Sequence, residues 1–126
     1  VDFRVPPGLT IEAIEKRVGD LADAIGGISV TRIKGWNPNW TPFEHVLPRA
    51  MLSASVALRG KAAAPVVRLP ASDAMRWRAR GVPAICFGPQ AELASGIDDY
   101  VLEQDVVDCL AIYMAAALSL LTESRS

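Results

Sequence analysis

The residues whose types and spacing best suit chemistry lie at two predicted strand ends. Ser72 and Asp73 follow one predicted strand and begin a predicted helix, where free backbone N–H groups and the helix dipole favour an anion. Gly88 ends a second predicted strand, and the loop behind it carries Asp98 and Asp99. In open α/β sheets, ligands bind at the carboxyl ends of the strands. The two strand ends are therefore predicted to share one site.

Three arginines, Arg76, Arg78 and Arg80, form the only local basic cluster of the sequence. A guanidinium group can bind a carboxylate through two parallel hydrogen bonds, so this cluster is a candidate substrate contact. Each candidate also has an ordinary structural interpretation. The arginines can form an exposed helix face, and Ser72 with Asp73 can cap a helix. Carboxylates in a loop before a helix are usually solvated.

The sequence contains one histidine, His45, and two cysteines, Cys86 and Cys109. One histidine cannot build the His-rich sites that commonly hold zinc. A Ser–His–Asp triad is not indicated, because neither Ser72 nor Ser95 lies in a nucleophile elbow. The cysteines lie in apolar runs and fit no metal-binding spacing. They are predicted to be buried free thiols of a reduced compartment.

Composition indicates a globular protein, with 51% apolar and 21% charged residues in a chain of 126. The net charge of -1 and the scattered basic residues argue against a nucleic-acid partner. The most apolar stretch, residues 106–121, contains Asp108 and is short for a bilayer span, so no membrane segment is predicted. A cytoplasmic location is the default expectation. A strand-like pattern at residue 1 suggests a chain cut from something longer.

Local signals predict a strand–helix–strand unit over residues 1–34. Residues 1–5 and 28–33 alternate apolar and polar side chains, as half-buried strands do. Thr10 is a predicted N-cap for the intervening helix, which ends at a Gly-Gly pair. Residues 35–42 are rich in Pro, Asn and Trp, and are predicted to connect this domain to the next.

The rest of the chain, residues 43–126, alternates predicted helices and strands. The alternation predicts the α/β class, with a partial and mostly parallel sheet layered with helices. The predicted strands are 66–69, 84–87 and 101–102, and the predicted helices follow Pro48, span 72–80 and begin at Gln104 or Asp105.

Several short motifs, in this order, resemble a family of dizinc metallopeptidases and deacylases. Its members include acetylornithine deacetylase, succinyl-diaminopimelate desuccinylase, aminoacylase and carboxypeptidase G. The opening Val-Asp-Phe-Arg-Val-Pro-Pro-Gly is similar to a strand of that family's lid domain. The other motifs are Ser72-Asp73-Ala74, then Arg78, then Gly-Val-Pro-Ala-Ile-Cys-Phe-Gly-Pro at 81–89, then Asp-Asp-Tyr-Val at 98–101.

The resemblance implies that residues 1–34 are the second half of an α+β lid, or dimerisation, domain. Residues 43–126 would be the C-terminal part of the catalytic domain. The family hydrolyses an amide or peptide bond of a small molecule, usually near a carboxylate, with a water activated by two zinc-class ions. The parent protein is therefore expected to be a homodimeric metal-dependent amidohydrolase or peptidase. The chain without the rest of its parent is expected to be inactive.

Departures from the family pattern concern the metals and the carboxylate contact. The resemblance places the general base and most metal ligands upstream of residue 1. Ser95 occupies the position of the remaining histidine ligand, and a hydroxyl is a poor zinc ligand. Met75 stands where the family has an arginine, which leaves the contact to its neighbours. The substrate-binding residues implied are Ser72, Asp73, Arg76, Arg78 and Gly88.

A second class of function remains open, a non-catalytic interaction or dimerisation module that retains the family motifs for packing. The two classes differ in what they expose. A fragment would leave sheet edges and an apolar face that need another chain, whereas a module would cover those edges with its own residues.

Overall fold

A computed structural model describes residues 1–61, 63–68, 72–89, 91 and 96–123. About 48% of these residues are helical, and none of them forms a strand. The described residues divide into two compact units, one of 1–39 with Arg68, the other of 40–67 with the described residues from Ser72 onward. The helices are α1 (Ile11–Ile25), α2 (Val46–Arg59), α3 (Ala74–Arg78) and α4 (Glu103–Glu123).

Helix α1 begins where the sequence predicted. The Thr10 side chain accepts a hydrogen bond from the Ala13 N–H at 3.2 Å, which confirms Thr10 as the N-cap. Asn37 adds a second acceptor, because its side-chain oxygen lies 2.8 Å from the Ile11 nitrogen. Gly26 ends the helix at φ 77, a conformation that glycine adopts without steric cost. Local capping chemistry thus sets both ends of α1.

The first unit buries little of its apolar surface. Among residues 1–39, Ala22 is the one buried hydrophobic residue, at 6% exposure. Leu21 and Ile25, which continue the apolar face of α1, are largely exposed. A helix draws most of its stability from burying such a face, so the described residues leave α1 with little tertiary support.

The two strands of the predicted strand–helix–strand unit do not form, so this part of the prediction is wrong. Residues 1–5 and 28–33 belong to no strand, and Ile28, Val30 and Ile33 are exposed. Alternation tells which side chains share a face, but a strand also needs a neighbour for its backbone hydrogen bonds. No backbone hydrogen bond joins these two segments in the described part of the chain. The helix is local and forms, whereas the strands are non-local and do not.

The second unit is built on a pair of helices, α2 and α4. Ala50, Met51 and Ala54 of α2 form one buried cluster with Ile112 and Ala116 of α4. Ile112 lies at the centre, with 1% of its surface exposed. Small alanine side chains on both helices allow a close approach, so the isoleucine fills the space between them.

An ion-pair network fixes the direction of this helix pair. The Arg59 guanidinium, at the C-terminal end of α2, lies 2.9 Å from an Asp105 oxygen and 3.3 Å from an Asp108 oxygen. Both aspartates belong to the first turns of α4, so the two helices run antiparallel. An acidic residue near a helix N-terminus and a basic one near a C-terminus also suit the helix dipoles.

The predicted α/β class with a parallel sheet is wrong, because the described parts of the three remaining predicted strands form none. Val66 and Val67 are exposed, as are Val101 and Leu102. Residues 84–87 do pack on the core, where Ile85 and Phe87 contact the α2–α4 cluster. The segment predicted to be a buried strand is thus partly buried, and packing against helices does not require a backbone ladder.

Helix α4 is longer than the apolar stretch suggested. Over Glu103–Thr122 it is long and apolar enough to cross a membrane, judged by length and composition alone. The core helix of a soluble protein, which is mostly buried, passes the same test. In α4, 17% of the apolar window is buried, and the face that packs on α2 carries the buried residues. This finding is weak evidence for a membrane span, and the expectation of no membrane segment stays a prediction.

The two cysteines differ in environment. Cys109 on α4 is buried, as predicted, and burial raises the pKa of its thiol. Cys86 is exposed, so the prediction that it is buried is wrong. Its neighbours Ile85 and Phe87 turn toward the core, and the intervening side chain is left in solvent.

Ile112→Ala should lower the free energy of unfolding of the second unit by about 2–5 kcal/mol, because it opens a cavity between α2 and α4. Urea denaturation followed by helical circular dichroism measures the change. Ile97→Ala is the matched control, since Ile97 is fully exposed at 103%. Equal urea midpoints for the two variants would contradict the helix-pair core.

Glu12 should link the stability of α1 to pH. Its pKa is lowered, first by a hydrogen bond from its own backbone N–H and further by Thr10, Asn37 and Arg32. Because the folded pKa is depressed, the stabilisation is complete above the unfolded pKa of about 4.3 and is lost as the pH falls through the folded value.

Thr10→Ala should therefore raise the Glu12 pKa, as measured by a carboxyl NMR titration, because it removes one of these partners. Thr122→Ala is the control, since the Thr122 hydroxyl donates to the Leu118 and Ser119 carbonyls of α4. A Glu12 midpoint that does not move in the Thr10 variant would argue against this cap.

Candidate substrate-binding surface

Helix α3 carries most of the predicted substrate-binding residues. Its N-cap is Asp73, not Ser72 as predicted, and the Asp73 side chain makes no capping hydrogen bond. The Ser72 carbonyl accepts from the Met75 N–H at 3.1 Å, so Ser72 contributes backbone at this turn. The predicted strand end before it, residues 69–71, lies outside the described residues. With only five residues, α3 offers a weak dipole for an anion.

A shallow depression lies on the solvent side of α3, with a volume of about 320 Å³. Two predicted residues, Asp73 and Arg76, line it together with Trp77 and Arg80. Arg76 Nε and an Asp73 oxygen lie 3.7 Å apart, at the long end of ion-pair distances, and both side chains are mostly exposed. The structure thus brings Asp73 and Arg76 to one surface with Arg80, a member of the predicted arginine cluster, and adds Trp77, which was not predicted.

The depression suits a small carboxylate with an apolar or planar group. Arg76 of α3 and Arg80, two residues beyond the end of that helix, both line the depression, so two cationic side chains border it. Asp73 offsets only one of these two positive charges. Trp77, 55% exposed, offers a ring face on which a planar or aliphatic group can stack. Because the site is open to water, its charge–charge attraction is screened and weak.

Arg78 has a different environment from its two arginine neighbours. Its Nη1 donates to the Ala84 carbonyl at 2.8 Å, in a partly buried position. The guanidinium therefore ties the end of α3 to the segment that follows Gly81. Gly81 itself has φ 77, which lets the chain reverse at this point. The predicted substrate contact of Arg78 stays a prediction, and the structure adds this anchoring bond.

Ala84 is the point to which this segment is anchored. The Thr41 hydroxyl donates a hydrogen bond to the Ala84 carbonyl at 2.8 Å. The same hydroxyl oxygen accepts a hydrogen bond from the Ala84 N–H, with 3.0 Å between the oxygen and the nitrogen. One buried threonine thus satisfies the backbone polar groups that a neighbouring strand would otherwise satisfy. Neither Thr41 nor Ala84 was among the predicted site residues, because their contact spans 43 positions in sequence.

A second anchor holds the far end of the segment. The Tyr113 hydroxyl on α4 donates to the Phe87 carbonyl, and the two rings pack edge to face with centroids 5.9 Å apart. Partial burial raises the pKa of Tyr113. Gly88, the predicted binding residue that follows, is exposed at the end of this anchored segment.

The described residues do not fit two zinc ions. They contain no group of three His, Cys, Asp or Glu side chains placed to hold a metal. Ser95, at the position of the family's histidine ligand, lies outside the described residues, whereas Asp98 and Asp99 are described and exposed. His45 serves as the N-cap of α2, where its Nδ1 accepts the Leu47 N–H at 3.1 Å.

No protein-family description, curated protein or solved structure matches this chain. The family resemblance therefore depends on the order and spacing of its short motifs. Of the residues in those motifs, the structure joins Arg78 directly to Ala84 and places Asp73 at the depression beside Arg76.

Thr41→Val should lower the free energy of unfolding by about 1–3 kcal/mol, because it leaves the Ala84 N–H without its acceptor. The Ala84 amide should also exchange with solvent faster, which amide hydrogen-exchange NMR measures. Thr122→Val is the matched control on an exposed helix position, where the effect should stay within about 0.5 kcal/mol. If both variants are equally stable, Ala84 is not an anchor.

Proposed function

We propose that this chain is the C-terminal portion of a metal-dependent hydrolase that cleaves an amide or peptide bond near a substrate carboxylate. The observation that carries the proposal is the depression lined by Arg76, Trp77 and Arg80, which suits a carboxylate beside an apolar group. The order of the family motifs supplies the reaction class. The proposed protein is cytoplasmic and homodimeric.

The chain's own contribution is substrate recognition. Arg76 and Arg80 bind the substrate carboxylate, and Trp77 contacts the group next to it. Asp73 sets the orientation of the Arg76 guanidinium through their ion pair. Arg78 and Thr41 hold the neighbouring segment at Ala84, so that the turn after α3 keeps its shape. The metal ligands and the general base belong to the rest of the parent chain.

Poor burial in the first unit supports a need for further polypeptide. Phe3, Ile25 and Ile33 are exposed, although each belongs to an apolar face predicted from the sequence. An apolar area of this extent usually marks an interaction surface. In the proposed hydrolase, the remaining part of the lid domain covers it.

The alternative function is a non-catalytic interaction module. The described residues contain no group suited to a metal ion, which is compatible with either proposal. The two proposals differ at the depression, because a packing motif has no need to bind a carboxylate. Ligand binding by Arg76 and Arg80 therefore separates them.

N-acetylglycine should bind the purified chain with a dissociation constant on the order of millimolar, since the depression is open and partly screened. NMR shifts of the Trp77 indole N–H measure binding. N-acetylglycinamide, which lacks the carboxylate, should bind at least several-fold more weakly. The double variant Arg76→Gln/Arg80→Gln should abolish the difference between the two ligands.

The control variant is Arg17→Gln, which removes an exposed positive charge from α1 in the other unit. It should leave the binding of N-acetylglycine unchanged. Equal binding of the acid and the amide by the wild-type chain would argue for the interaction module.

Calorimetry should show that this chain binds zinc no more tightly than micromolar, because the metal ligands are proposed to lie in the rest of the parent chain. Tight binding of two zinc ions would contradict that proposal.

A further inference from the structure

Helix α4 has apolar side chains on two opposite faces, of which one is buried and the other exposed. The inner face holds Ile112 and Ala116, which pack on α2. The opposite face carries large apolar side chains that are 53–63% exposed. With 3.6 residues per turn, these side chains lie on the side of α4 away from α2. They form the outer stripe, which consists of Val107, Leu110, Met114, Leu118 and Leu121.

The outer stripe is symmetric about its central residue. Leu110 and Leu118 lie four residues on either side of Met114, and Val107 and Leu121 lie seven residues on either side. Spacings of three and four residues are those of a helix–helix seam. In an antiparallel pair of identical stripes, Met114 meets Met114, Leu110 meets Leu118, and Val107 meets Leu121. A two-fold axis requires this kind of reciprocal contact.

We propose that the outer stripe of α4 is an interface between two copies of this chain, packed antiparallel about a two-fold axis at Met114. This surface is distinct from the lid domain, through which the resembled family is expected to dimerise. The inference does not depend on the proposed hydrolase activity, because it uses only the exposure and spacing of residues on α4.

The charges on α4 are compatible with a second copy and differ from those of helices that lie on a membrane surface. The four charged residues of α4 are all acidic, and Arg59 engages two of them, Asp105 and Asp108, on the α2 side. The outer stripe itself has no charge, so antiparallel pairing brings no like charges together along it. Helices that lie on membranes usually carry lysine and arginine on the polar face, which α4 lacks.

The available area predicts a weak dimer. A stable interface buries about 800 Å² per partner over some 20–30 residues. About half of the 21 residues of α4 face outward, which by the same proportion gives roughly 300–400 Å² per partner. The total of roughly 600–800 Å² is below the about 1,000 Å² of a stable interface, so the dimer is a weak, transient one. The chain is therefore expected to dimerise only at high concentration.

Sedimentation equilibrium from about 10 µM to 1 mM tests the oligomeric state. The wild-type chain should show a monomer–dimer equilibrium, and Leu110→Glu/Leu118→Glu should remain monomeric throughout. The matched control is Val56→Glu/Leu58→Glu, which places the same charges at exposed apolar positions of α2. The control should dimerise like the wild type. Circular dichroism verifies that each variant is folded.

Disulfide trapping tests the antiparallel geometry. In a Cys86→Ser background, Met114→Cys should form a covalent dimer under mild oxidation, because the two-fold axis passes through this position. Val107→Cys should not, since antiparallel pairing separates the two copies of this residue by about 21 Å along the helix. Cys109 is buried on the inner side of α4 and does not compete.

Three results would overturn the proposal. The first is a wild-type chain that stays monomeric at 1 mM, or a control variant that dissociates as the stripe variant does. The second is equal trapping through Val107→Cys, which indicates parallel pairing. The third is flotation of the chain with phosphatidylcholine vesicles that is lost in the Leu110→Glu/Leu118→Glu variant, which would identify a lipid surface as the occupant.

Discussion

Close packing of α2 on α4 is the interaction on which the rest of the second unit depends. Ala50 and Ala54 bring the two backbones near each other, and Ile112 fills the remaining space. Arg59 then fixes the register through its two aspartate partners. Because the hydrophobic contact is non-directional, the ion pairs add the orientation that the small side chains cannot specify.

The shape of the candidate site depends on this helix pair. Tyr113 of α4 holds the Phe87 carbonyl, while Thr41, just before α2, holds Ala84. The segment between them is fixed at both ends, and Arg78 connects it to α3. The depression beside Arg76 is thus positioned by side-chain hydrogen bonds to backbone, in the place where a sheet would use a ladder.

An unusual distribution of side-chain size links the fold to the proposed contacts. The buried hydrophobic residues that the structure describes are four alanines with Met51, Cys109 and Ile112. Of the leucines on α4, Leu120 packs against the core, whereas Leu110, Leu118 and Leu121 face outward. Burying a leucine side chain contributes about 1.5–3 kcal/mol, so an exposed row of them is a large unused source of stability. The proposed dimer uses the row on α4. The first unit also leaves apolar side chains exposed, and the proposed parent chain covers them.

Much of the helical structure was predictable, because helices depend on local signals. Thr10, the Gly-Gly pair after α1 and the apolar periodicity of α4 act within a few residues of sequence. The predicted strands failed for the complementary reason. Residues 84–87 carry the apolar run of a buried strand, but a strand exists only when another segment pairs with its backbone.

The same distinction applies to the site. Asp73 and Arg76 are three residues apart, so the sequence alone placed them on one surface. The sequence also identified the arginine cluster, but it could not show that Arg78 has a different environment from the other two arginines. Only the tertiary structure decided that Arg78 and Thr41 meet at Ala84, since that contact joins segments 43 residues apart. The sequence by itself determined the local helices and charges, and packing decided which of those charges face solvent and which hold the chain together.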